Sequence, residues 1–270
     1  MDYSKMTGFY LGDEEDRQHL IDTASPMPEL LYSAPEEVDP RKLFPNHRWV
    51  ENQASQGSCA GHANTTILEY CLGVATQKEP VHLSRQYSYI VAQRKSGITG
   101  DRGSTIDGNV RTAVDGIPRE EFWPYTGRYH TSPPGGMEAC LEDAKHYRLA
   151  KHAIMRSYDD VFNWIASGAG AVNIGIRFGV GNSPVCENYS NSGGGHAVAL
   201  IGYSKRKDSQ GRNYPWLLNS WGPNWGNGGW CEVAPRAIEQ MFQSNYTVMI
   251  GMTDMQNIVP RPITIQLDWL

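Results

Sequence analysis

Asn52-Gln53-Ala54-Ser55-Gln56-Gly57-Ser58-Cys59-Ala60-Gly61-His62-Ala63 is the stretch that decides how this chain is read. A Gln/Ser/Gly turn leads directly into residues 60–72, where Ile67, Leu68, Cys71 and Leu72 share one side and Gly73 closes the run. That periodicity predicts a helix entering a core. Cys59 therefore stands where a turn meets a helix start. A helix N-terminus offers unpaired N–H groups and the positive end of the dipole, and both favour a thiolate. Gln53, six residues earlier, could turn a side-chain amide N–H toward an oxyanion forming beside the sulfur. The same residues also fit a buried structural cysteine and a turn glutamine, and this stretch alone does not choose between them.

Two further stretches supply what a thiol nucleophile needs. In Ser192-Gly193-Gly194-Gly195-His196-Ala197-Val198-Ala199-Leu200-Ile201-Gly202-Tyr203, a histidine opens an apolar strand behind three glycines, which leave its imidazole open. In Leu217-Leu218-Asn219-Ser220-Trp221-Gly222-Pro223-Asn224-Trp225-Gly226, an asparagine closes a strand before a tryptophan-glycine loop. An Asn carbonyl can accept the imidazole N–H and fix its tautomer, while the Trp221 indole shields that bond from water. Together the parts form one machine. Cys59 attacks, His196 serves as base and then acid, Asn219 orients the ring, and Gln53 with the Cys59 N–H stabilises the oxyanion.

The remaining chain fits a soluble two-lobed protein. Its 270 residues are 40% hydrophobic and 20% charged, enough to bury a sizeable core. The formal charge of −5, with no Lys/Arg block, argues against nucleic acid, and no apolar run reaches membrane-spanning length. Helices are expected at 60–72, 83–94 (capped by Ser84), 106–114 and 137–145. Strands are expected at 150–155, 171–176, 195–202, 216–219, 229–233 and 246–252, with a helix at 158–165 among them. Helices first and strands second predict α+β rather than alternating βαβ. Residues 1–45, acidic and proline-bearing, read as an extended arm with little helix, and 254–270 as a second arm. The start of the chain carries no basic region followed by an apolar stretch, so a cytoplasmic location is expected. Cys59, Cys71, Cys140, Cys186 and Cys231 form no CxxC pair, and no metal or other cofactor is expected. Asp101 and Asp107 match no calcium loop. Glu69 reads as structural, and His62, one helical turn beyond Cys59, as a rival base.

The chain resembles the papain-like cysteine peptidases. Gln53, Gly57-Ser58-Cys59, His196-Ala197-Val198 and Asn219-Ser220-Trp221-Gly222 match that family's pattern, within a resemblance spanning residues 50–252. Leu83-Ser84-Arg85-Gln86 resembles its Leu-Ser-Glu-Gln segment. The region from Gly103-Ser104-Thr105 to Trp123-Pro124-Tyr125 resembles its glycine-containing substrate strand and Tyr-Pro-Tyr turn. The resemblance implies a helical left lobe, a β-barrel-like right lobe and a cleft between them, in a peptidase domain at 46–253. It implies that Gly103 binds the substrate backbone. It also implies that Gly175, Gly194, Gly195 and Ala197 line a roomy apolar pocket suited to a bulky or aromatic side chain, with Trp221 beside the site.

The departures are specific. Ala60 follows the nucleophile where the family usually has an aromatic residue. Gln56 and residues 100–103 lack the usual cysteines, and no long-helix inhibitory propeptide precedes the domain. The expected function is hydrolysis of peptide bonds in a peptide or protein substrate. Acyl transfer is chemically open to the same site. The alternative is a non-enzymatic papain-like assembly component, such as a part of a viral particle. The arms allow two functions, a lid over the cleft or docking to a neighbouring subunit, and docking is the favoured expectation because there are two arms. Self-packing is the plain alternative.

Overall fold

The computed structural model describes residues 8–27 and 33–253, so the second expected arm lies outside the described residues. In chain order the elements are β1 (Phe9–Tyr10), α1 (Glu14–Asp22), α2 (Pro40–Leu43), α3 (Cys59–Thr76), α4 (Arg85–Lys95), β2 (Ser104–Thr105), α5 (Ile106–Asp115), a 3-10 turn (Glu120–Phe122), α6 (Met137–Ala144), β3 (Lys151–Ile154), α7 (Tyr158–Ala166), β4 (Ala171–Arg177), β5 (Val185–Cys186), β6 (Gly195–Lys207), β7 (Asn213–Leu218), β8 (Trp230–Val233), α8 (Pro235–Phe242) and β9 (Val248–Thr253). No described helix is long and apolar enough to cross a membrane.

α3 is buried along nearly its whole length, so its polar groups must be satisfied inside the protein. Thr65 Oγ1 donates back to Gly61 O, Asn64 Nδ2 donates to Asn109 O, and Glu69 takes both arms of the Arg85 guanidinium at 2.5 and 2.7 Å. One side of α3 meets α4 and α5, whose N-caps Ser84 and Thr105 accept from the N–H groups of Tyr87 and Gly108. The other side packs on β6 and β4. The resulting core joins Ile67, Leu68, Tyr87 and Ile106 to Ala199, Ile201 and Ile250.

Apart from β1 and β2, which pair separately, the seven other described strands form one sheet in the order β3-β9-β4-β6-β7-β8-β5, antiparallel except for β5–β8. Its edge strands β3 and β5 do not pair with each other among the described residues, so the lobe is an open sheet by hydrogen bonding. A second core, including Trp164, Trp225, Ile174, Val198 and Ile238, lies between this sheet and α7 and α8. The α+β expectation therefore stands, with the cleft where α3 and the start of β6 meet.

Two helices of eight or more residues depart from the sequence reading. α1 interrupts the arm expected to be extended. The prolines of that arm begin at Pro26, so none breaks residues 14–22, and Asp13 caps the first turn by accepting from Asp16 N at 2.9 Å. The acidic run Asp13-Glu14-Glu15-Asp16, read as part of the extended arm, forms the cap and first turn of this helix, where negative charge is favoured by the dipole. α8 starts with Pro235 at its first position and buries Ala237, Ile238 and Met241 at helical spacing.

Candidate active site

Cys59 is the first residue of α3 and is fully buried. Burial pushes its thiol up to about 11, against main-chain groups of Ala197, Gly8, Ala60 and Cys59 itself, which pull it down. His196 stands at the second position of β6, and its Nε2 lies 2.8 Å from Asn219 Oδ1. That oxygen also accepts from Ser220 N at 2.8 Å, so the amide presents oxygen to the ring. Nε2 therefore holds the proton, and Nδ1 keeps its lone pair. Nδ1 is buried with no hydrogen-bond partner among the described residues. Burial holds His196 down to about 4, while the Asn219 bond works the other way. Trp221 stacks on the imidazole at 4.7 Å and 29°. Phe178, just beyond β4, meets its edge at 4.6 Å and 78°.

Gln53 is buried in the turn before α3. Its Oε1 accepts from Ser220 Oγ at 2.7 Å, its Nε2 donates to Gln56 O at 2.9 Å, and its N–H donates to Ser220 O at 2.8 Å. Ser220 thus touches Asn219 through its N–H and Gln53 through its hydroxyl and carbonyl. It sits inside the Asn-Ser-Trp-Gly stretch, yet nothing in its local pattern singles it out. The rival base His62 donates from Nδ1 back to Ser58 O at 3.1 Å, and burial holds it down to about 4. Glu69 is held well below the usual carboxylate range: burial opposes this, and the Arg85 charge overcomes it.

The cleft is filled by the chain itself. β1 pairs in parallel with β2, and Ser104 N donates to Gly8 O at 2.9 Å. Gly103 has φ +94°, and a Cβ there would fall 2.0 Å from Gly8 O, so only glycine allows this approach. The Phe9 ring presses on Gly175, where a Cβ would come within 2.2 Å of its Cζ. The Phe9 carbonyl lies over Gly195 at a corresponding 2.3 Å. Phe9 is 2% exposed. Tyr246 donates its hydroxyl to Phe9 O at 3.1 Å and meets the ring edge-on at 5.7 Å. Of the expected substrate-binding residues, Gly103, Gly175 and Gly195 thus face the arm. Ala197 lies against Cys59, and Gly194 accepts the Phe178 N–H. Sequence reasoning missed Phe9, Tyr246 and Phe178, because each acts through contacts with residues remote in the chain.

Beyond Tyr10 the arm runs onto the helical lobe. His19 Nδ1 lies 2.6 Å from Asp107 Oδ1, and Arg111 reaches Asp107 at 2.7 Å and Asp16 at 3.5 Å. Burial and the neighbouring Asp107 carboxyl raise Asp16 to about 6. His152 of β3 donates from Nε2 to Leu20 O at 3.0 Å, and Ser25 N donates to His152 O at 2.7 Å.

Three potential metal ligands also converge. Atoms of His47, Glu69 and His82 lie within 4.8 Å of one another. Both Glu69 oxygens already accept from the Arg85 guanidinium, which holds the positive charge an ion would bring. Asp101, considered above for calcium, instead accepts from Gly57 N at 2.9 Å and from the Tyr89 hydroxyl at 2.8 Å. All five cysteines are buried, and none forms a disulfide among the described residues.

Comparison with known proteins adds to this geometry. Residues 34–250 match the family described as papain family cysteine protease. A viral cathepsin of Cydia pomonella granulosis virus is 28% identical over 190 residues, covering 68% of this chain and 53% of the relative. Pro-cathepsin H of Bos taurus is 30% identical over 187 residues, covering 67% of this chain and 54% of the relative. The chain thus spans about half the length of these curated relatives. In structure it is similar to xylellain, a cysteine protease from Xylella fastidiosa, with a TM-score of 0.71 at 22% identity, covering 93% of this chain and 97% of that one.

Proposed function

Because the chain belongs to the papain family of cysteine proteases, we propose that it is a cysteine peptidase whose cleft is closed by its own residues 8–10. The observation that carries this reading is the convergence of Cys59, His196, Asn219 and Gln53 at the end of a cleft that already holds an extended segment of chain. Retention of all four residues, with their bonds, favours the enzyme over a non-enzymatic assembly component.

In the open form, His196 Nδ1 takes the Cys59 thiol proton and the sulfur attacks the scissile carbonyl carbon. The C=O electron pair moves onto oxygen, which the Cys59 N–H and the Gln53 side-chain amide receive. The imidazolium then gives its proton to the leaving amine as the C–N bond breaks, leaving a thioester. Water gives a proton to Nδ1 and attacks the thioester carbonyl; the C–S bond then breaks, the sulfur takes the proton back from the imidazolium, and the acid is released. With the arm docked, burial keeps the thiol protonated and the imidazole neutral, so this is a resting state. The Phe9 ring in the glycine-lined pocket supports an aromatic or bulky apolar substrate side chain there.

The test is an irreversible thiol-directed peptidyl inhibitor carrying Phe at the pocket position, followed by mass spectrometry. Modification is expected at Cys59 alone, and Cys59→Ala should abolish both labelling and peptide cleavage with little change in Tm. Cleavage that survives in Cys59→Ala would overturn the assignment.

A further inference from the structure

The two proposed oxyanion donors belong to different pieces of chain. Gln53 lies in the turn, and the Cys59 N–H belongs to the first residue of α3. One hydroxyl spans them. Tyr125 Oη donates to Gln53 O at 2.8 Å and lies 2.7 Å from Ser58 Oγ. A phenol has a single proton. Since Gln53 O can only accept, that proton goes to Gln53, and the Ser58 hydroxyl must donate to Tyr125. Ser58→Tyr125→Gln53 is then a directed chain of two bonds, each polarising the other. Tyr125 is itself held. Its N–H donates to Glu120 Oε1 at 2.6 Å, and its ring meets the buried His62 edge-on at 4.6 Å and 88°. Burial pushes the phenol above its ordinary value, so the proton stays in place.

We infer that Tyr125 is a positioning residue for the oxyanion, tying the Gln53 main chain to the residue before the nucleophile and so fixing the spacing of the two donors. It touches neither substrate nor sulfur and acts through Gln53 and Ser58. The inference rests on the peptidase reading above. A further tether at the same carbonyl, Gln56 N donating to Gln53 O at 3.1 Å, remains when the hydroxyl is removed, so the loss should be partial.

The experiment uses the full chain carrying Phe9→Ala to open the pocket, with and without Tyr125→Phe, which keeps the ring. Misplacing a reacting group by about 1 Å costs on the order of 10²-fold, so losing one of several tethers should lower kcat per titrated active site by about 10-fold, with KM nearly constant. Alkylation of Cys59 by iodoacetamide forms no oxyanion, so its rate should stay within about 2-fold of the parent, since it needs only the thiolate. Ser58→Ala should give a smaller loss, and the double variant should be no worse than Tyr125→Phe alone. If Tyr125→Phe fails to fold, Ser58→Ala carries the same split between turnover and alkylation. An unchanged kcat per titrated site, or alkylation falling in step with turnover, would overturn the inference. A Phe9→Ala parent without turnover on any peptide would instead overturn the peptidase reading itself, and the inference with it.

Discussion

The two ends of the arm are held by opposite kinds of contact. In the cleft, Gly8–Tyr10 is bound by a main-chain bond to Ser104, by a ring in a glycine-lined pocket and by the Tyr246 hydroxyl, none of which titrates near neutral pH. On the helical lobe, α1 is bound by His19, Asp16, Asp107 and Arg111, with Asp13, Glu15 and Lys95 lining the same cavity. The first end supplies shape and buried apolar area, and the second supplies charge. The contrast implies that the cleft end sets how tightly the arm closes, and the helix end sets how closure responds to solution conditions.

Phe9→Ala tests the cleft end and should have the largest effect. Burying a phenylalanine side chain is worth about 1.5–3 kcal/mol, so docking should weaken roughly 10- to 150-fold. Cys59 should then react correspondingly faster with iodoacetamide, read by mass spectrometry of the full chain. No change would mean that the ring does not close the cleft. Arg111→Ala tests the helix end. Its guanidinium is 34% exposed and partly screened. Exposed pairs contribute about 0.2–1 kcal/mol, so labelling should rise only about 1.4- to 5-fold. An effect exceeding that of Phe9→Ala would reverse the contrast.

The smallest effect is in pH. Asp16 is raised in the docked arm to about 6, so its contribution to docking is fully present below the free carboxyl value and is lost as pH rises through about 6. His152 works the other way. Burial lowers it, so its contribution is present above the free imidazole value and is lost as pH falls through the lowered one. Dividing the labelling rate of the full chain by that of Phe9→Ala at each pH cancels the ionisation of the thiol itself. Docking of the native arm relative to Asp16→Asn should fall by a few-fold between pH 5 and pH 7, a window about as wide as the shift. Parallel profiles would remove Asp16 from the latch.

How legible each part was follows from how local its cause is. Gln53, Cys59, His196 and Asn219 stood out because turn, helix start and strand end each impose a short pattern. α3 to α7 and the longer strands came out within a few residues, since each carries its own periodicity. α8 was equally readable from Pro235, Ile238 and Met241 and was passed over in a region already assigned to strands. Gly8–Tyr10 is different in kind. Three residues form no periodic pattern, and their place is set by glycines at 57, 103, 175 and 195, which lie up to 187 positions away (195 − 8 = 187). Tyr125 was visible as part of a turn, but its bonds to Gln53 and Ser58 depend on how that turn folds back. The expectation that the arms dock to a neighbouring subunit rested on their number. The described part of the first arm lies over its own cleft.

Only three residues, 11–13, separate β1 from α1, and α1 is fastened at Asp107, Arg111 and His152. A segment on so short a tether faces its pocket at an effective concentration on the order of millimolar or above. Closure is therefore first-order in this chain. Dilution should leave the closed fraction unchanged, and a free peptide with the same intrinsic affinity as residues 8–10 would need to reach that concentration to compete. A molecule that pries α1 off its lobe, by contrast, would open the cleft without binding there.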